Sequence, residues 1–126
     1  MYGPDNLISG SKSCQHIWAQ GFYGHGTELT QTFEDVLRKE TESCDAVQSI
    51  QFINSSNGGC GSGLGTLLQQ NVSEQYASAI TANFSVAPSK TVCESILEPY
   101  NFVLSKLDNS SINFLYGNET LHNICT

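Results

Sequence analysis

The apolar residues of this chain alternate between the spacing of amphipathic helices and the spacing of strands. A first stripe has helical spacing and predicts a helix with Thr27 as its N-cap. Its members are Leu29, Phe33, Val36 and Leu37. A second stripe predicts a helix that buries Leu64, Leu67, Leu68 and Val72. A third predicts a helix that buries Tyr100, Val103, Leu104 and Leu107. Runs of β-branched and apolar residues predict strands over 47–53, 80–86 and 112–116.

Helices and strands therefore alternate, which is typical of a parallel sheet with crossover helices. We predict an α/β fold of Rossmann-like type within residues 1–126. Residues 21–26 contain three glycines and are expected to form a flexible turn. Because ligands of such sheets bind beyond the carboxyl ends of the strands, the loops after Ile53, Val86 and Tyr116 are expected to share one ligand-binding edge.

The first of these loops is the glycine segment, residues 57–66, which reads Asn-Gly-Gly-Cys-Gly-Ser-Gly-Leu-Gly-Thr. Glycines permit positive φ and close approach of the backbone, and amides at a helix N-terminus bind anions. A phosphate-binding turn is one interpretation; a glycine-rich surface linker and a helix cap without a ligand are the others. The segment lacks the lysine of a Walker A loop and the spacing of the Rossmann fingerprint.

The order Gly58-Gly59-Cys60-Gly61-Ser62-Gly63 resembles the phosphate-binding loop of the tubulin/FtsZ GTPases. Flanking motifs resemble the β-type branch of tubulin, in family order and nearly at family spacing. They are Arg38-Lys39-Glu40, Glu42-Ser43-Cys44-Asp45, Gly65-Thr66-Leu67-Leu68 and Glu98-Pro99-Tyr100-Asn101. The resemblance implies that residues 1–126 form a partial tubulin/FtsZ-type GTPase domain, the central part of a tubulin nucleotide-binding domain, with the first phosphate loops and the C-terminal domains absent.

The same resemblance implies GTP or GDP as the ligand, with Mg²⁺ held through the nucleotide phosphates. The residues implied are the amides of Gly58, Gly59, Cys60, Gly61, Ser62 and Gly63 for the phosphates, Glu98 and Glu94 for the ribose, Asn118 for guanine and His16 for the terminal phosphate. Simpler roles compete with these. The glycines also suit a structural turn, Glu98 suits the dipole of a helix N-terminus, and His16 suits a solvated loop.

Several positions depart from the family pattern. Cys60 stands where the family has Thr, Asn57 where it has Gly, and His16 where it has Asn. The resemblance also places the guanine-stacking residue and the loop with the catalytic acid beyond Thr126. We therefore predict no catalytic residues within the chain and no useful GTP hydrolysis by it.

Two functions follow from this comparison. The first is GTP binding and a structural role in microtubules, with tubulin subunits of the α/β heterodimer and polymer as partners, in the cytoplasm and cytoskeleton. The second is a decayed, non-enzymatic interaction module that no longer binds nucleotide. The departures at His16, Asn57 and Cys60 favour the second.

Charge and cysteine content narrow the alternatives. A net charge of −7, from 5 basic and 12 acidic residues, argues against nucleic acid as a partner. No apolar run has the length of a membrane span, and residues 1–5 do not resemble a signal peptide. The 5 cysteines are an odd number without a C-x-x-C pair, so we expect reduced thiols and no metal site.

Glycosylation sequons point to a third, weaker alternative, a secreted glycoprotein. The N-x-[ST] pattern occurs at Asn54, Asn71, Asn83, Asn109 and Asn118. Without a recognised signal peptide, the abundance of Asn and Ser explains these sequons.

Overall fold

The computed structural model describes residues 3–11, 13, 15–87 and 96–107, and the backbone of residues 112–117. After a 3-10 turn (Pro4–Asn6), the described chain runs α1 (Gly26–Glu42), β1 (Ser49–Ser55), α2 (Gly65–Gln75), β2 (Ile80–Ala87), α3 (Glu98–Leu107) and β3 (Ile112–Gly117). Two π-helical segments, Gln20–His25 and Cys60–Leu64, lead without a break into α1 and α2.

The three strands form a parallel sheet in the order β1-β2-β3. The register aligns Ser55 with Val86 and Val86 with Tyr116, so the strands reach one edge together. This arrangement confirms the predicted α/β fold with crossover helices. No helix among the described residues has the length and hydropathy that crossing a bilayer requires.

The predicted turn over residues 21–26 is wrong, because this stretch is helical. Ala19 already has helical dihedrals, with φ −62° and ψ −34°, and Gly26 continues them. Thr27 is therefore inside a helix and not an N-cap; its hydroxyl donates to the carbonyl of Gly24 at 2.9 Å. Of the three glycines in this stretch, Gly21 packs against the glycine segment, since a Cβ there would overlap the carbonyl of Gly59.

The helices α1 and α2 place their apolar stripes as predicted. Leu29, Phe33, Val36 and Leu37 are half-buried in α1, and in α2 Val72 is fully buried. Trp18 is the other buried apolar side chain among the described residues, stacked on Phe22 with 4.7 Å between ring centroids.

The apolar face of α3 is not buried, contrary to the prediction. Tyr100, Val103, Leu104 and Leu107 are 69%, 53%, 39% and 77% exposed, whereas Asn101 and Ser105 on the opposite face are buried. The sheet shows the same inversion, because Asn83 and Ser85 of β2 are buried and Ile80 is exposed. Polar side chains thus occupy the layer between α3 and the sheet, where they form the hydrogen bonds described next.

Candidate functional site

The glycine segment lies at the carboxyl ends of β1 and β2. The amide of Ser56, the first residue after β1, donates to the carbonyl of Val86 at 3.1 Å. The side chain of Asn54 in β1 donates to the carbonyl of Gly61 at 2.9 Å. The segment is therefore fixed at the edge of the sheet where the topology places ligand sites.

Much of the glycine segment is the beginning of a helix rather than a loop. Gly59 has helical dihedrals, φ −62° and ψ −42°, and the π-helical turn Cys60–Leu64 continues into α2. The amide of Ser62 donates to the carbonyl of Gly58 at 3.0 Å, and the Ser62 hydroxyl reaches the same oxygen. The amides of Gly59 and Gly61 precede this first bonded donor and occupy the anion-binding position of a helix N-terminus.

Ser62 and Gly63 follow the start of the helix. Both are buried, as Gly59 is, and the Ser62 amide already donates inside the helix. The binding of phosphates by all six amides stays a prediction; the Ser62 amide already has a partner, and the amides before it lie at the helix N-terminus.

The glycines serve close backbone packing and not positive φ, since no described glycine has positive φ. A Cβ at Gly59 would lie 2.6 Å from the amide nitrogen of Ile17. A Cβ at Gly61 would overlap the carbonyl of Ser55, and one at Gly63 would overlap the carbonyl of Trp18. At Gly58, by contrast, no described atom lies within 4 Å of that position. Gly58 is thus the residue of this segment whose open face a ligand can approach.

The loop before Trp18 has left-handed backbone. Gln15 and His16 have φ of 49° and 60°, which costs energy for residues other than glycine and is best tolerated by Asn and Asp. The His16 side chain is exposed, and its carbonyl accepts a hydrogen bond from the side chain of Asn101 at 2.8 Å. His16 therefore lies beside the glycine segment, and the described contact there involves its backbone oxygen.

Asn101 of α3 joins this loop to the glycine segment. Its Oδ1 accepts from the amide of Trp18 at 3.0 Å, and its Nδ2 donates to the carbonyls of His16 at 2.8 Å and Asn57 at 3.0 Å. The residue is 3% exposed. In the sequence, Asn101 appears only as the last residue of the Glu98-Pro99-Tyr100-Asn101 motif. The feature that could have indicated its role is a polar residue within an apolar helix, one turn after Glu98.

Three residues linked to Asn101 through the backbone each have a buried polar side-chain atom with no hydrogen-bond partner in the described part of the chain: Glu98 Oε2, Asn57 Oδ1 and Trp18 Nε1. Trp18 and Asn57 bind Asn101 directly through their backbones, and Glu98 is the first residue of α3, one turn earlier. Buried polar atoms are rarely left without partners. A carboxylate oxygen accepts hydrogen bonds, so ligand hydroxyl groups match Glu98.

A second polar chain runs from α3 to the glycine segment across the sheet. Lys106 Nζ donates to Ser85 Oγ at 3.1 Å, and Ser85 Oγ donates to Asn54 Oδ1 at 3.2 Å. Burial lowers the pKa of Lys106 below its ordinary value. Asn54 completes the chain through its bond to the Gly61 carbonyl.

The cysteines differ from the predicted set of reduced thiols. Cys60 is disulfide-bonded, whereas Cys44 is free and exposed. A disulfide sulfur carries no proton, so Cys60 in this state offers the site its backbone amide but no thiol donor or nucleophile.

Two residues of the predicted site, Glu94 and Asn118, are outside the described residues. Within the described part of the chain, no group of three His, Cys, Asp or Glu residues is placed to hold a metal ion. An open cavity of about 360 Å³, lined by Glu40, Cys44 and Ile50 among others, lies at the amino end of β1, remote from the glycine segment.

Comparison with known proteins identifies the family of this chain. Residues 2–126 match the model of the Tubulin/FtsZ family, GTPase domain. A tubulin beta chain of Bombyx mori is 44% identical over 128 aligned residues, covering 99% of this chain and 28% of that protein. The tubulin beta chain of Candida albicans and the tubulin beta-6 chain of Gallus gallus are each 43% identical, again over 99% of this chain and 28% and 29% of theirs.

The chain thus spans less than a third of the length of these relatives. Its family match covers nearly every residue, including the glycine segment and α3. On the strength of this match, the chain belongs to the tubulin/FtsZ family, as a GTPase-domain segment similar to β-tubulins.

Proposed function

We propose that this chain binds a guanine nucleotide, GTP or GDP, at the edge formed by the glycine segment and the first turn of α3. The observation that carries the proposal is the partnerless, buried Oε2 of Glu98. Through Asn101, the turn that begins at Glu98 is connected to the segment containing the helix N-terminus at Gly59 and Gly61. One group accepts hydroxyl protons and the other favours anions, which matches a ribose carrying phosphates.

Each residue has a distinct role in this proposal. The amides of Gly58, Gly59, Cys60 and Gly61 face the phosphates, and Ser62 and Gly63 hold that turn in place. Glu98 accepts from the ribose hydroxyls, with Glu94 near the same sugar, and Asn118 pairs with guanine. His16 lies near the terminal phosphate. Mg²⁺ would be held through the phosphate oxygens, where it offsets their charge.

The proposed cellular role follows that of the family. The chain would act as a structural constituent of microtubules, with tubulin subunits of the α/β heterodimer and polymer as partners, in the cytoplasm and cytoskeleton. We assign no catalytic residue within it, so the expected activity is binding without useful turnover.

A second function is favoured by the same loops. Gln15 and His16 are held in left-handed conformations, and Cys60 is disulfide-bonded. These positions include His16 and Cys60, whose residue types depart from the family pattern that the resemblance implies. A tubulin-like interaction module that has lost its nucleotide is the function these features favour.

Calorimetric titration separates the two functions. We expect wild-type chain to bind GTP and GDP with micromolar or tighter affinity that depends on Mg²⁺, and not to bind ATP. Glu98→Gln keeps the shape of the side chain and weakens its acceptor, so GTP affinity should fall by about tenfold. Glu42→Gln, at the exposed end of α1, makes the same charge change away from the site and is the control. No heat with wild-type chain at millimolar GTP would favour the interaction module.

A further inference from the structure

The side chain of Asn101 connects three separate stretches of the chain. It contacts the loop of His16 and Trp18, the glycine segment at Asn57, and, as a member of α3, the turn that begins at Glu98. These stretches are 44 and 85 residues from Asn101 along the sequence.

Both N–H donors of the Asn101 side chain are used in these contacts. An asparagine carries two N–H donors and one carbonyl acceptor. Both donors go to backbone carbonyls, one in each loop, and the acceptor takes the Trp18 amide. The side chain therefore has no donor left for a ligand, and any effect it has on binding acts through the loops.

The backbone oxygens that Asn101 holds are critical ones for an anion site. A carbonyl oxygen that points toward a phosphate repels its negative charge. A carbonyl oxygen that accepts a hydrogen bond from Asn101 points toward Asn101 instead. Asn57, whose carbonyl is bound by Asn101, directly precedes Gly58. His16 has a left-handed backbone, and a change to another conformation would relieve its unfavourable φ. Loss of the two bonds would release both carbonyls next to the helix N-terminus.

We propose that Asn101 is a positioning residue that sets the affinity of this site for phosphate groups. It couples the ribose-facing turn of α3 to the two phosphate-facing loops. The inference rests on the proposed function and adds a residue that contacts no part of the nucleotide. Its signature is an effect that grows with the number of phosphates on the ligand.

Titration of Asn101→Ala with GTP, GDP and GMP tests this signature. We expect GTP affinity to fall by at least about tenfold, since two buried bonds to loop carbonyls are lost, and GMP affinity by less than about threefold. Ser105→Ala is the matched control. Ser105 is buried one turn further along the same face of α3 and donates to the carbonyl of Phe102 within its own helix. Its removal should lower the affinity for all three nucleotides equally and by less than about threefold.

The single tryptophan provides a readout inside the network. Its amide is bound to Asn101, and its ring is stacked on Phe22 at 4.7 Å. GTP should change Trp18 fluorescence in wild-type chain more than GMP does, and this difference should vanish in Asn101→Ala while persisting in Ser105→Ala.

The outcomes are distinct. If wild-type chain binds no guanine nucleotide, the proposed function fails and this inference with it. If wild-type chain binds GTP but Asn101→Ala loses GTP and GMP affinity by the same factor, the positioning role alone is overturned. Should Asn101→Ala not fold, hydrogen exchange of the Trp18 amide in wild-type chain decides. Slower exchange with saturating GTP than with GMP supports the role, and equal rates overturn it.

Discussion

Lys106 illustrates how single residues depart from a pattern of apolar positions. It lies within the layer between α3 and the sheet and donates to Ser85 at 3.1 Å. Burial disfavours its charged form, so its pKa is below the ordinary value of 10.5. The unfolded chain therefore binds the Lys106 proton more tightly than the folded chain does.

This difference fixes the sign of a pH effect. Where the unfolded state holds more protons, stability rises with pH, so Lys106 should add stability as pH increases from neutral toward 10.5. The free energy of unfolding of Lys106→Met should lack this rise and should exceed the wild-type value at neutral pH. Urea denaturation between pH 7 and pH 10.5 measures both effects. Lys39→Met, at the exposed end of α1, is the control, and parallel profiles for wild type and Lys106→Met would contradict the interpretation.

The sequence makes Glu98 a candidate ligand residue but gives no indication of the proposed role of Asn101, for a physical reason. A carboxylate at a helix N-terminus has recognisable chemistry on its own. An asparagine that binds three backbone groups acquires that role only when distant loops meet it, and their separation of 44 and 85 residues leaves no local signal. Glu94 and Asn118, outside the described residues, stay predictions.

At the level of elements, the glycine segment lies at the predicted edge of the sheet. Of the two properties of glycine considered there, positive φ is not used and close backbone approach is, because much of the segment is the helical start of α2, packed against the Gln20–His25 segment. The sequence shows that these positions are glycines, but it does not show which backbone atoms pack where a side chain would be. For Gly63, that backbone includes the amide of Phe22, 2.8 Å from the Cβ position.

Substitution by alanine distinguishes Gly61, which is closely packed against backbone, from Gly58, which has space beside it. Gly61→Ala would place a methyl group against the backbone of Ser55, which cannot retreat without distorting β1. We expect its free energy of unfolding to fall by about 2–4 kcal/mol. Gly58→Ala meets no described atom, so stability should stay the same or rise by up to about 1 kcal/mol, because alanine restricts the unfolded chain.

Denaturation curves measure these changes, and nucleotide titration adds a second comparison. Gly58→Ala should fold normally and bind GTP more weakly, since its methyl group would occupy the open face of the proposed phosphate site. If Gly58→Ala and Gly61→Ala lowered the free energy of unfolding equally, the close contacts of Gly61 would not be the cause of the loss.

Helix α3 shows the limit of periodicity as evidence. The stripe of Tyr100, Val103, Leu104 and Leu107 correctly predicted a helix, yet this face is exposed. Periodicity identifies an apolar face but not the element that covers it. In this structure the polar residues Asn101 and Lys106 of α3 form the contacts instead, Asn101 with the backbone of two loops and Lys106 with Ser85 of β2.

For the whole molecule, the exposed apolar face of α3 sets an expectation about solution behaviour. Val103 and Leu107 are 53% and 77% exposed, on a chain whose net charge of −7 otherwise favours solubility. We expect wild-type chain to self-associate as its concentration rises and to bind a hydrophobic dye. Val103→Lys should reduce both effects without lowering the melting temperature by more than about 2 °C, because an exposed substitution removes little packing.

Sedimentation velocity across a concentration series measures this association. Thr32→Lys, on the exposed polar side of α1, makes the same change in net charge and should leave association nearly as strong as in wild-type chain. A comparable reduction by both lysines would assign the effect to charge alone. A reduction confined to Val103→Lys would show that the apolar face of α3 makes the contact, since the two variants have equal net charge and differ only in where the lysine lies.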